Sequence, residues 1–154
     1  DGEYLTGLWF EGSRDSFKHV IDCEEKDLEI FKETGKWLDI YFSGFNPGFT
    51  PKYKVKTTEF QKSVYEIMLK IPYGKTITYS EIAKEIANAR GIKKMSAQAI
   101  GHAVGTNQIC IIIPCHRVMG TKNNITGYGG GILNKIKLLE LEGIDTSSFV
   151  MPRK

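Results

Sequence analysis

Residues 80–105 read SEIAKEIANARGIKKMSAQAIGHAVG. Ile82, Ala83, Ile86 and Ala87 recur at helical spacing behind Ser80, a residue type that caps helix N-termini. The polar, basic stretch 88–95 breaks that period. A second short helix is predicted over Ala97–Val104, capped by Ser96 and ended by Gly105. Two short helices joined by a turn predict a helix-turn-helix. The second is built from small residues: Ala97, Ala99, Gly101 and Ala103. Two readings stand. The helix packs closely on a neighbour, or it lets another backbone approach closely, which suits a tight groove.

Upstream of this pair, Thr58-Glu59-Phe60-Gln61 has the form of a capping box. Phe60, Val64, Ile67 and Ile71 form the stripe of a helix that Pro72 stops, and 73–76 is a turn. Residues 43–57, broken by Gly44, Pro47, Gly48 and Pro51, are read as a connecting loop. Before it, Leu28, Phe31, Leu38 and Tyr41 predict an amphipathic helix over 26–42. Residues 1–22 are read as short strands carrying Tyr4, Leu5, Leu8, Trp9, Phe10, Phe17, Val20 and Ile21. Trp9, Trp37 and the phenylalanines of this half are assigned to the core.

Downstream, Ile109–Ile113 is a β-rich buried run that leads into Pro114-Cys115-His116-Arg117-Val118. Gly127-Tyr128-Gly129-Gly130-Gly131 is a flexible, close-approach loop; Gly129–Gly131 lack side chains, which suggests spare room unless neighbouring loops close the space. The last helix is predicted over Ile132–Glu142, with Leu133, Ile136 and Leu138 or Leu139 inward and Gly143 behind it. The predicted class is α/β (α+β), in two units: 1–52, with strands and a helix, and 53–154, mainly helical.

With 154 residues, 41% of them hydrophobic and 25% charged, the chain is neither disordered, collagenous nor a coiled coil. No apolar stretch approaches the roughly 18–20 residues of a membrane span. The start, Asp1-Gly2-Glu3, lacks the basic character of a signal peptide, which predicts a cytoplasmic protein, or a nuclear one in a eukaryote. Residues 1–52 carry 6 Lys/Arg against 11 Asp/Glu, and residues 53–154 carry 15 against 7. The second unit is therefore the one suited to a polyanion. Cys23, Cys110 and Cys115 are an odd number, which points to a reducing compartment. Cys110, Cys115, His116 and His102 match none of the usual zinc spacings, and no cofactor or metal is expected.

A cysteine between a buried run and a His-Arg pair has two readings. It is an inert structural thiol, or it is a nucleophile, since the thiolate is the reactive form and neighbouring imidazole or guanidinium favours it. The longer string decides. Ile111 to Val118, preceded by Gly105-Thr106-Asn107 and followed by Gly127 to Gly131, closely resembles the O6-alkylguanine-DNA alkyltransferases, also called methylated-DNA–protein-cysteine methyltransferases. The likeness runs from Phe60 through Thr78-Tyr79-Ser80 to Leu138-Leu139-Glu140-Leu141-Glu142-Gly143.

The resemblance implies a ribonuclease H-like first unit and a winged helix-turn-helix-like second one. It implies repair of double-stranded DNA by a single chain, through irreversible transfer of the alkyl group of O6-alkylguanine, with O4-alkylthymine as a second substrate. Cys115 matches the acceptor, His116 the base acting through a water, and Glu142 its carboxylate partner. Asn107 matches the brace of the turn, and Tyr79 the residue that rotates the phosphate and protonates the leaving guanine. Ser96, Gln98, Ala99, Gly101, Arg117, Tyr128 and Gly129 fall at DNA-contacting positions. Where many members have an arginine that fills the gap left by the extruded base, this chain has Gln98. Three rivals remain: a non-catalytic DNA binder, which does not need Cys115; a Cys-His hydrolase, which turns over; and an RNA-binding domain, which should carry stacking aromatics in the basic unit.

Overall fold

The structure, a computed structural model, describes residues 1–15 and 25–151. Phe17, Val20, Ile21 and Cys23 lie outside the described residues. Five α-helices are present among the described residues: α1 (Glu29–Phe42), α2 (Glu59–Leu69), α3 (Tyr79–Arg90), α4 (Ala97–Gly105) and α5 (Ile132–Leu141). Two short strands, β1 (Ile77–Thr78) and β2 (Val118–Met119), complete a mixed α/β fold. Among the described residues no helix is long and apolar enough to cross a membrane.

α2 begins at the expected capping box: the Thr58 hydroxyl accepts from the Gln61 N–H, and the Gln61 side chain accepts from the Thr58 N–H. α3 starts differently from the sequence reading. Its cap is Thr78 rather than Ser80, because Glu81 stands three residues after Thr78 and closes a second box. Gly91, at φ 66°, ends α3. Ser96 caps α4 as expected, accepting from the N–H groups of Gln98 and Ala99, but α4 runs through Gly105 and its C-cap is Thr106. α2, α3 and α4 pack on one another. Ile100, Ala103 and Val104 face into that core, and Ala97 and Gln98 face out.

β1 and β2 pair in parallel, Ile77 with Val118 and Thr78 with Met119. This fastens the start of α3 to the segment that follows Cys115. On α5 the inward stripe is Lys135, Leu138 and Leu139, and Glu142, at the C-cap, is buried behind it. Leu133, expected inside, is 70% exposed. Lys135 takes an inward position because its ammonium donates to the Val118 carbonyl at 2.8 Å and to the Thr126 hydroxyl at 3.2 Å. Burial pushes its pKa down to about 8.

In the first 15 residues, β pairing consists of single bridges, Leu5 to Tyr53 and Leu8 to Ile109. α1 buries Ile30, Thr34, Trp37 and Tyr41, while Phe31 faces solvent. The helix is thus rotated from the stripe predicted through Phe31 and Leu38. Trp37 and Tyr41 stack at 5.3 Å, and that pair sets the rotation. The core assignment holds for Trp37 but not for Trp9, Phe31, Phe42 or Phe45, all exposed. One hydrophobic cluster joins Leu5, Ile30, Trp37 and Tyr41 to Val64, Met68, Ile100 and Ile113, so the two halves of the sequence share a core.

Candidate active site

The run Ile109–Ile113 is buried as expected, but it is not a strand. Ile111 has φ 69°, and the Ile112 N–H reaches back to the Cys110 carbonyl at 2.7 Å, a three-residue turn. A second such turn follows at Pro114, φ −82° and ψ 63°, closed by the Cys115 N–H on the Ile113 carbonyl at 2.8 Å. A β-branched residue at positive φ is strained and persists only where its surroundings hold it. Asn107 does this. Its Oδ1 accepts from the Ile109 N–H at 3.0 Å, and its Nδ2 donates to the Ile113 carbonyl at 2.9 Å. Nδ2 also lies 3.1 Å from Cys115 Sγ. One amide therefore ties both ends of the turn and touches the sulfur. β-branched composition predicted a strand; the side chain of Asn107 takes the place of a strand partner.

Cys115 opens a single 3₁₀ turn, Cys115–Arg117, which points His116 and Arg117 to one carboxylate. His116 Nε2 lies 2.6 Å from Glu142 Oε2. Arg117 Nε donates to Oε1 at 2.8 Å and Nη2 to Oε2 at 3.2 Å. The Gly74 N–H donates to Oε1 at 2.9 Å, and the Tyr41 hydroxyl to Oε2 at 2.6 Å. Gly74 has φ 79°, and a Cβ there would fall 3.1 Å from the Glu142 carbonyl, so the turn needs glycine to bring that N–H in. Burial pushes Glu142 up, but the hydrogen bonds from His116 and Arg117 outweigh it and hold the carboxyl down at about 2. Burial pushes the His116 pKa down against the opposing pull of Glu142, so the ring is neutral near pH 7. Nε2–H is then the donor to Glu142, and Nδ1 carries the lone pair. Nδ1 has no hydrogen-bond partner among the described residues.

Arg117, expected at DNA, is turned inward. It is 9% exposed, its third nitrogen donates to the Ile71 carbonyl at 2.9 Å, and its guanidinium lies over the Tyr73 ring. The buried carboxylate claims this cation. Tyr41, Gly74 and Lys135 were not singled out as site residues from the sequence; only the glycine, inside a Pro-Tyr-Gly turn, carried a local signal.

Cys115 lines a cavity of about 140 Å³ together with Tyr79, Asn107, Gly127, Tyr128 and Gly129, and with Arg14, Asp15, Gly101, Val104 and Gly105. At about 30 Å³ per water, it is roughly four to five waters in size. A larger groove of about 480 Å³ runs beside α4 and is lined by Ser80, Ala97, Gln98 and Thr121. Tyr79, Gly101 and Gly127 line both spaces, so the small-residue face of α4 borders the way to the sulfur. The Tyr79 hydroxyl is 2.8 Å from the Thr126 hydroxyl, and burial pushes its pKa up, which keeps it protonated. Ser96 and Gln98 are exposed, and Ala99 and Gly101 partly so, on this side of the helix.

Two glycines of the loop, Gly129 and Gly130, leave no room where a side chain would sit, whereas Gly127 has nothing within 4 Å. The Asp15 carboxylate packs where a Cβ of Gly129 would sit, and a Cβ on Gly130 would fall 2.6 Å from ring carbons of Phe10 and Tyr128. Asp15 is fixed there: its N–H donates to the Gly129 carbonyl, and its Oδ2 accepts from Cys110 Sγ at 3.3 Å. Burial pushes the Cys110 thiol far above the ordinary range, so it is the inert cysteine of the two. Gly129→Ala is accordingly expected to destabilise the fold by about 1–3 kcal/mol, through overpacking. Thermal unfolding reads this as a Tm loss of several degrees; an unchanged Tm would mean that the Asp15 carboxylate moves aside freely.

Among the described residues no three of His, Cys, Asp and Glu converge as metal ligands. A family description, 6-O-methylguanine DNA methyltransferase, DNA binding domain, matches residues 59–144. The methylated-DNA–protein-cysteine methyltransferase of Methanosarcina acetivorans is 45% identical over 124 residues, covering 80% of this chain and 76% of the relative. That of Haemophilus influenzae is 36% identical over 146 residues, covering 94% and 78%. Among solved structures, Mycobacterium tuberculosis OGT in complex with DNA is similar with a TM-score of 0.76 at 38% identity, covering 92% of this chain and 81% of that one. An O6-methylguanine DNA methyltransferase from Methanococcus jannaschii is similar with a TM-score of 0.64 at 30% identity, covering 100% and 91%.

Proposed function

We propose a function from one premise: this chain belongs to the family of methylated-DNA–protein-cysteine methyltransferases. The protein repairs O6-alkylguanine in double-stranded DNA by moving the alkyl group to Cys115, once per chain. The observation that carries this reading is the wiring of the thiol. Sγ sits against the Asn107 amide, Cys115 lines a cavity, and the next residue is a histidine fixed by a buried carboxylate, with Nδ1 left for a proton.

A lesion at O6 lies inside the duplex, so the base must leave the stack, at a cost of a few kcal/mol. The basic unit 53–154 offsets part of that cost through phosphate contacts, and the α4 face with Ser96, Gln98, Ala99 and Gly101 enters the minor groove. Gln98 occupies the gap left by the base. Tyr128 and Gly129 line the receiving cavity. Residues 1–52 support this unit. The protein acts where DNA is, in the cytoplasm or the nucleus.

His116 Nδ1 takes the Cys115 proton through a water, and the Asn107 Nδ2–H stabilises the thiolate. Sulfur attacks the alkyl carbon in line, a C–S bond forms, and the C–O6 bond breaks with its electron pair going to guanine. Tyr79 gives its hydroxyl proton to the departing base and is reprotonated by the proton that left the thiol. The products are S-alkylcysteine and guanine, and no charge or atom is left over. A thioether offers water no acyl carbon, so the site is not regenerated, unlike that of a Cys-His hydrolase.

The test is duplex DNA carrying radiolabelled O6-methylguanine. Label should accumulate on the protein to one equivalent, on the peptide containing Cys115, and a second dose should add none. Release of label as a small molecule over many cycles would indicate a hydrolase. Binding with no transfer would indicate a non-catalytic damage binder.

A further inference from the structure

Tyr41 belongs to α1, outside the segment 59–144 that matches the family's DNA-binding domain, yet it ends in the middle of the carboxylate cluster. It is fully buried. Its hydroxyl donates to Glu142 Oε2 at 2.6 Å, the same oxygen that meets His116 Nε2 at 2.6 Å, and lies 3.4 Å from Nε2 itself. Its ring is locked by the stack on Trp37 and by edge contacts with Phe42, Tyr73 and His116. Packing alone would be served equally well by phenylalanine. The hydroxyl is the part that calls for another explanation.

We propose that Tyr41 is a positioning residue of the alkyl-transfer reaction, whose hydroxyl competes with His116 for Glu142 Oε2 and so sets how strongly the carboxylate holds a proton on the imidazole. This rests on the function proposed above. A carboxylate oxygen shared between two short donors gives less to each than an oxygen serving one. With Tyr41 in place, Glu142 orients the ring but does not bind imidazolium too tightly, and His116 stays neutral and able to accept. Without the hydroxyl, Oε2 falls to His116 and to the longer bond from Arg117 Nη2, and the imidazolium gains. The other charged or titratable groups around the pair work in known directions. Arg117 and Lys135 oppose a proton on His116, and Tyr73 faces Glu142 and Arg117 from the turn before β1. Burial and Glu142 push the Tyr41 hydroxyl far above the ordinary range, so it stays protonated and keeps its hydrogen for Glu142. The first half of the chain thus contributes to the chemistry as well as to the core.

The experiment is Tyr41→Phe, which keeps the ring and its stack, studied by single-turnover transfer at saturating DNA from pH 6 to 9. At pH 7 the rate should fall by up to about threefold, since a rise of about one pKa unit from below the ordinary imidazole value leaves part of the base neutral; the loss should deepen toward pH 6 and vanish by pH 9. DNA affinity should stay within about twofold, because Tyr41 is buried away from the α4 groove. A second readout needs no DNA: the His116 imidazole resonances, followed by NMR against pH, should titrate higher in the variant. An unshifted His116 titration overturns the proposal, as does a rate loss equal at all pH values. If the wild-type protein transfers no alkyl group, the function above fails, while the NMR titration still decides whether Tyr41 governs His116.

Discussion

Glu142→Gln is expected to slow alkyl transfer by at least 10²-fold, in the range set by loss of a general base, while DNA affinity changes by no more than about twofold. The reason is the count of donors. The Tyr41 hydroxyl, His116 Nε2, two nitrogens of Arg117 and the Gly74 N–H all converge on two oxygens. Glutamine keeps one acceptor and turns an NH₂ toward the remaining donors. His116 loses the partner that fixes its tautomer, and the buried Arg117 loses its counter-charge. Breaking a buried pair on one side costs about 3–5 kcal/mol, so the variant should also unfold at lower urea. The pH dependence separates this from ordinary loss of packing. The carboxyl is held at about 2 in the fold against an ordinary value of 4.5. Its contribution to stability is therefore present above 4.5 and is lost as pH falls from there toward 2. Urea unfolding between pH 5 and 3 should show a steep loss of stability for the wild type and a flatter one for Glu142→Gln. Parallel slopes would mean that Glu142 is not the group holding this charge. Equal losses of rate and of DNA affinity would assign it a structural role alone.

The parts of this cluster differ in how visible they are in the sequence. Cys115, His116 and Arg117 are adjacent, and their chemistry can be read from their types. Glu142 stands 26 residues from His116, beyond the reach of spacing arguments, and was found through the likeness of the surrounding segment. Tyr41 is a further 101 residues from Glu142 and looked like one more apolar position on an amphipathic helix. Helical periodicity reports that a face is buried; it does not report that a hydroxyl at the end of that face reaches a carboxylate. The rotation of α1 has the same origin, because the stack of Trp37 on Tyr41 and its tie to Glu142 are tertiary facts.

The helices were legible because their signals are local. Thr58 and Gln61 form their capping box within four residues, and Ile82, Ala83, Ile86 and Ala87 face the core as their period requires. The choice between Thr78 and Ser80 also had a local answer, the glutamate three residues after Thr78. On α5 the apolar type of Leu133 predicts an inward position, but Lys135 is the buried residue and Leu133 faces solvent. A lysine is buried at low cost only where carbonyl and hydroxyl oxygens wait for it, and those of Val118 and Thr126 come from elsewhere in the chain. The run before Cys115 misled most, since four isoleucines read as a strand by composition. What converts them into two tight turns is a single polar side chain two residues upstream of the first.

That side chain gives the second large expected effect. Asn107→Asp keeps the size and shape of the residue and changes only what its second terminal atom offers. One carboxylate oxygen can still accept from the Ile109 N–H. The other replaces an NH₂ that donated to the Ile113 carbonyl at 2.9 Å and to Cys115 Sγ at 3.1 Å. Two anions about 3 Å apart repel by about 5 kcal/mol even at an effective dielectric of about 20, so carboxylate and thiolate cannot both form near neutral pH. Transfer at pH 7 should fall by at least 10²-fold, and alkylation of Cys115 by iodoacetamide should require a distinctly more alkaline solution than in the wild type. The turn also loses the donor that held it while Ile111 sits at φ 69°, so stability should drop by about 2–3 kcal/mol. DNA affinity should be nearly unchanged, because Asn107 is buried. Asn107→Ala provides the control: it removes the same donor, and also the acceptor for the Ile109 N–H, but adds no charge, so it should lose at least as much stability yet shift the iodoacetamide profile less. If Asn107→Asp reacts with iodoacetamide over the same pH range as the wild type, then the amide holds the turn and contributes nothing to the ionisation of the sulfur.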